Sequence, residues 1–195
     1  INMNSVEQSQ TMFARRIFEL LASNTVIVGN YSRGVKNLFG DLTICTNDSL
    51  TLKKDLNDKC NDETEYRKYR LQGLRKVLEK HLYEDRLNYI IKQVFGVEIK
   101  ESLPVISLIA YPTIDNLDRV LAMFRKQSYP NKHLYLIGNF EGVNETDIEV
   151  LEEKEWFGKK IHELPTEGFL GVLNGENYYG SSYLLDLALT VRYAH

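Results

Sequence analysis

One stretch limits the fold more than any other. Residues 105–110, Val-Ile-Ser-Leu-Ile-Ala, form an almost wholly apolar run rich in β-branched side chains. Such a run suits a parallel strand buried on both faces. Tyr111-Pro112-Thr113 breaks it, and Thr113 or Asp115 can cap a helix with Leu117, Leu121 and Phe124 along one side. Ser128-Tyr129-Pro130-Asn131 ends that helix, and residues 133–137 are a second apolar run. Together they predict a βαβ unit with a right-handed crossover. In such sheets ligands bind outside the carboxyl ends of the strands, here Ala110-Tyr111-Pro112 and Gly138-Asn139.

The chain has 195 residues, room for one α/β domain or two small ones. At 43% hydrophobic residues it can pack a core. A net charge of -3 without a long basic block argues against a nucleic-acid partner. Cys45 and Cys60 form no CxxC pair and read as reduced thiols of a cytoplasmic protein. The four histidines show no metal-ligand spacing. No apolar run approaches the ~20 residues of a spanning helix, and no signal peptide is visible. GxGxxG, P-loop, Ser/His/Asp and Cys/His patterns are all missing. The start at Ile1 and the stop at His195, just after a helical pattern, suggest a piece of a larger multidomain chain.

All four prolines lie from Pro104 onward. With the polar stretch at 97–102, this places a boundary that divides the chain into 1–100 and 101–195. In the first part, residues 6–23 read as a helix, with Ser5 and Gln8 at capping-box spacing and Phe13, Ile17, Leu20 and Leu21 as its buried stripe. A strand at 25–29, a helical turn at 35–39 closed by Gly40 and a strand at 42–46 follow. Thr46, Asn47 or Asp48 then caps a helix running to about Cys60, and helices at 62–80 and 83–95 complete the part. Charged positions such as Arg67, Lys68, Lys76 and Glu79 read as a solvated face. In the second part, residues 145–155 read as a charged helix ended by Trp156-Phe157-Gly158. A strand is expected at 160–164, an apolar run at 168–173 and a helix at 178–193 packed through Leu184, Leu187, Ala188 and Val191. The whole reads as α/β, two Rossmann-like three-layer units with mainly parallel sheets.

Two family resemblances follow from particular residues. Pro104, Ile106-Ser107-Leu108-Ile109 and Gln127-Ser128-Tyr129-Pro130-Asn131 resemble the opening of a family 2 glycosyltransferase of the GT-A type. Arg16, Phe18-Glu19, Leu21-Ala22, Leu38-Phe39-Gly40-Asp41 and His81-x-Tyr83-x-x-Arg86 resemble the carboxy-terminal lobe of a GT-B glycosyltransferase similar to spore-maturation enzymes. The first resemblance covers residues 103–195, the second residues 1–95. Together they imply transfer of a sugar from a nucleotide diphosphate sugar to a glycan acceptor, such as a cell-surface polysaccharide. They also imply cooperation with further domains of the same chain, in the cytoplasm or at the inner face of the membrane. The isolated piece is expected to be inactive. A non-catalytic α/β module for assembly or glycan binding is the alternative.

The resemblance also proposes site residues. A glutamate at the place of Glu19 would meet ribose hydroxyls, and Arg15 and Arg16 the diphosphate, since a planar guanidinium fits phosphate oxygens. The plainer reading is a surface ion pair between Glu19 and either arginine. At the strand ends, Tyr111, Pro112, Asn139, Asn174 and Glu176 are the candidates for the nucleotide-sugar. Asn174-Gly175-Glu176 stands where the family carries Asp-x-Asp, whose carboxylates hold Mg or Mn. Glu176 is thus the one candidate metal ligand, and the missing carboxylates, with Asn139 where aspartate is usual, predict no tightly bound ion there.

Overall fold

Strand β3 (Ile106–Ala110) is buried along its whole length. It pairs in parallel with β4 (Lys132–Ile137) on one side and β6 (Phe169–Val172) on the other. Beyond β4 lies β5 (Ile148–Leu151), giving a four-stranded parallel sheet of order β5-β4-β3-β6. The computed structural model describes residues 1–99, 103–156, 163 and 168–193. The chain divides into two compact units, Ile1–Ile99 and Lys100–His195.

In unit 2 the side chains alternate across the sheet as the strand period demands. Ile106, Leu108, Ala110, Leu134, Leu136 and Ile148 point to one face, where they meet Val120, Leu121 and Phe124 of α6 (Leu117–Arg125) and Leu184 and Ala188 of α8 (Tyr183–Thr190). Ile109, Tyr135 and Ile137 point to the other, against Leu151, Leu170 and Trp156 of the short α7 (Glu153–Trp156). Strand order reverses between β3 and β6, so their carboxyl ends form the switch point at which open α/β sheets bind ligands.

The loop after α6 ties this unit together. Tyr129 is buried and donates its hydroxyl to the Pro104 carbonyl. Asn131 Nδ2 donates to the Leu103 carbonyl at 3.0 Å. Lys132 Nζ donates to the carbonyls of Phe124 and Gln127, satisfying the end of α6. Gln127, only 4% exposed, donates to the Gly180 carbonyl at 2.9 Å, and its Oε1 accepts from Leu184 N at 3.1 Å. The amide side chain of one helix therefore satisfies an orphan N–H at the start of another.

Two expectations for this unit change. The charged helix expected at 145–155 is instead β5 followed by α7. Ile148 and Val150 alternate with Glu149, and the parallel partner β4 takes up the ladder. The last helix is confined to Tyr183–Thr190, because residues 178–180 are held elsewhere. Tyr179 Oη accepts from Asn174 N, and Gly180 O accepts from Gln127. Its packed face is Leu184, Ala188 and Leu189, while Leu187 stays exposed. The strand expected at 160–164 lies outside the described residues apart from Glu163, as do Phe157 and Gly158.

In unit 1 the ladder is short. β1 (Val28–Gly29) pairs in parallel with β2 (Ile44–Cys45). Around them pack α1 (Arg16–Ala22), α2 (Arg33–Phe39), α3 (Ser49–Cys60) and α4 (Glu63–Lys80), and α5 (Tyr83–Phe95) follows with none of its residues buried. Ile17, Leu21, Ile27, Val35, Phe39, Cys45 and Val77 form the core. Asp48 caps α3 by accepting from Thr51 N. Gly73 lets α1 approach α4, since a Cβ there would lie 2.7 Å from Leu21 Cδ2.

The helix expected over residues 6–23 begins only at Arg16. Residues before it are claimed by other partners. Asn2 N donates to the Val28 carbonyl, Asn4 and Asn30 exchange hydrogen bonds, and Glu7 O accepts from Arg33 N at 2.7 Å. The amino-terminal segment thus lies along β1 and then crosses the start of α2.

Replacing Gln127 by Leu should strand the Leu184 N–H and the Gly180 carbonyl, at a cost of about 1–3 kcal/mol. Amides of α8 should then exchange hydrogen roughly ten- to a hundredfold faster, with α4 unaffected. Unchanged protection of α8 would contradict this role.

Candidate functional site

A groove of about 540 Å³ opens on unit 1. Phe13, Phe18, His81, Tyr83, Leu38 and Gly34 line it, with Arg15, Glu19 and Arg86 among its polar groups. Local sequence explains its walls. Asp85 accepts from Leu82 N at 2.7 Å, which stops α4 and starts α5 within two residues. That junction carries His81, Tyr83 and Arg86 into the groove together. Gly34 forms the opposite wall, where a Cβ would lie 2.9 Å from Phe13 Cδ1 and 3.0 Å from the Gln10 carbonyl.

The floor is aromatic. Phe18 stands 5.2 Å from Phe39 and 5.6 Å from His81, centroid to centroid, in edge-to-face contacts. Phe13 adds a fourth ring 5.6 Å from Phe18. Above this floor, Arg15 Nε donates to Glu19 Oε1 at 2.9 Å and Arg15 Nη1 to the Tyr83 hydroxyl at 3.2 Å. The Arg86 guanidinium lies over the Phe18 ring at 5.3 Å, and its Nη2 is 3.4 Å from His81 Nδ1. Arginine can only donate, so His81 Nδ1 accepts and the ring is neutral at this nitrogen. Burial, then the charges of Arg86 and Lys76, hold His81 below its usual pKa, with Asp85 acting in the opposite sense.

The structure therefore brings Arg15 and Glu19 together in a groove, as an i,i+4 ion pair that also faces a cavity. Arg16 is exposed and stands outside the groove lining. His81, Tyr83 and Arg86 entered the sequence reading only as part of a family pattern, without a role. Their signal is the short break between two helices, which turns three polar side chains toward one place.

The unit 2 candidates lie at the carboxyl edge of the sheet. Tyr111 is exposed after β3, and its hydroxyl accepts from Trp156 Nε1 at 2.8 Å. Pro112 follows it, and Asn139 is exposed beyond β4. Asn174 Oδ1 accepts from Glu176 N at 2.9 Å, so the amide turns back on its own loop. Glu176 is the sole carboxylate of that turn. Among the described residues, no three His, Cys, Asp or Glu side chains converge on a metal site. No described helix is long and apolar enough to cross a membrane.

Unit 1 is thus an α/β unit with an open, aromatic-floored groove rimmed by two guanidinium groups and a carboxylate. Its residues 1–92 match the model of a family described as glycosyl transferase-like. The match runs through the groove and into α5, and it supports a glycosyltransferase-type function. No curated protein and no solved structure matches the chain.

The depressed pKa of His81 has a consequence for stability. The unfolded chain takes a proton more readily than the folded one between about pH 6.5 and the lower folded value. The His81 contribution is therefore full above about pH 6.5 and is lost as pH falls through the folded value. Protection factors of amides in α1 and α4 should therefore fall from pH 7 to 5, and fall less in His81→Asn. An equal fall in both chains would refute the assignment.

Proposed function

We propose that the groove of unit 1 binds the nucleotide part of a nucleotide diphosphate sugar, in an enzyme that transfers the sugar to a glycan acceptor. The observation that carries this reading is the coincidence of the groove with the family match over residues 1–92. At about 540 Å³ it falls within the roughly 300–1,000 Å³ of small-molecule sites. Rings below and hydrogen-bonding groups above suit a ligand with a flat base, ribose hydroxyls and phosphates. Glu19 is the acceptor for ribose hydroxyls. Arg15, held by Glu19 and Tyr83, adds a guanidinium to the rim whose planar fork suits phosphate oxygens.

In unit 2, taken by itself, Tyr111, Pro112, Asn139, Asn174 and Glu176 at the carboxyl edge of the sheet are proposed as nucleotide-sugar contacts of that unit. A divalent cation at the Asn174-Gly175-Glu176 turn would have Glu176 as its single charged ligand there, and such ions on diphosphates are held by one or two carboxylates plus phosphate oxygens.

Calorimetric titration of the chain with uridine, guanosine and thymidine diphosphates, with and without manganese, tests the reading. One of them should bind, and Glu19→Ala should weaken it about tenfold. The same substitution should leave the thermal midpoint nearly unchanged, because an exposed i,i+4 pair contributes little to stability. Undiminished affinity in Glu19→Ala would remove Glu19 from the site.

A further inference from the structure

Two arginines border the groove, and their electrostatic situations differ. Arg15 is already met by the Glu19 carboxylate and the Tyr83 hydroxyl. Among the described residues no carboxylate pairs with Arg86, which uses one N–H on His81 and lays its guanidinium on Phe18. A guanidinium has five N–H donors in a fixed plane. With one spent on His81 and the group placed over the Phe18 ring, the others are held without a neutralising partner among the described residues.

We infer that Arg86 is the principal contact for the diphosphate, and that His81 is a positioning residue that holds its guanidinium over Phe18. This rests on the nucleotide-sugar reading and adds to it the residue that carries the phosphate charge. The geometry favours Arg86 over Arg15 for two reasons. A phosphate approaching Arg15 must compete with Glu19 for the same N–H groups. Arg86 is also pre-positioned from two sides, so less side-chain freedom is lost when a ligand binds.

His81 is suited to this task because it sits at the end of α4, wedged edge-to-face between Phe18 and Phe39. Its Nε2 is buried without a hydrogen-bond partner, so Nδ1 carries the ring's one side-chain hydrogen bond, to Arg86. The charged groups acting on it are Arg86, Lys76, Lys80 and Asp85. An Asn at position 81 could place its Oδ1 where Nδ1 stands and still accept from Arg86, whereas Leu cannot.

The test is calorimetric titration of the 195-residue chain with the nucleoside diphosphate that the wild type binds, at two salt concentrations. Arg86→Gln should weaken binding at least tenfold and reduce its salt dependence. Arg86→Lys, which keeps the charge without the fork, should fall between the two. His81→Leu should lose nearly as much as Arg86→Gln, and His81→Asn should recover most of the loss. Circular dichroism of each variant confirms the fold. If the wild type binds none of the diphosphates, this assignment and the donor reading both fall. If the wild type binds one and Arg86→Gln agrees within twofold, the Arg86 assignment alone falls. If His81→Asn is as weak as His81→Leu, the positioning role falls.

Discussion

A cluster of four rings holds unit 1 together. Phe13 comes from the amino-terminal segment, Phe18 from α1, Phe39 from the end of α2 and His81 from the end of α4. Their edge-to-face contacts join parts of the chain that a two-residue parallel ladder cannot organise alone. Such pairs contribute about 0.5–1.5 kcal/mol each beyond the area they bury. The outer surface of the same cluster is the floor of the groove. Arg86 rests on Phe18, and Arg15 leans on Tyr83 one turn away. Packing and site are therefore one arrangement seen from two sides, and a change to the rings would reach both.

Much of this was legible where local signals and tertiary packing agree. The apolar run at 105–110 becomes β3, five buried residues long. The leucine spacing over 62–80 and 83–95 becomes α4 and α5 within a residue of each expected end, and Asp48 is one of three capping residues considered. Reading fails where distant partners outbid the local pattern. Residues 6–15 have helical spacing, yet bonds of Asn2, Asn4 and Glu7 to Val28, Asn30 and Arg33 hold the segment in an irregular path. Residues 148–151 look like part of a charged helix, but the open edge of β4 pairs with them. Of the groove, Arg15 and Glu19 could be found through the family resemblance, since residue type and spacing alone read them as a surface ion pair. The neutral His81 and the stacking of Arg86 on Phe18 could not, because they depend on how two helices meet.

The stretch Gln127-Ser128-Tyr129-Pro130-Asn131 teaches a different lesson. It carried the sharper of the sequence signals in the second half, and its side chains are spent internally. Gln127 serves α8, Tyr129 and Asn131 serve the chain entering β3, and Lys132 just after it closes α6. A motif of this kind specifies how a βαβ unit is fastened. It speaks to architecture, while chemistry must be sought at the strand ends.

Trp156 is the chain's only tryptophan. Its indole donates to Tyr111 at the carboxyl edge of β3, and its ring packs with Ile109, Tyr135 and Ile137. The rings that line the groove of unit 1 are phenylalanine, histidine and tyrosine. Excited at the red end of the protein absorption band, the chain emits from a single place. The protein therefore carries one optical probe, fixed at the rim of the unit 2 sheet, and a groove that is dark at the same wavelength.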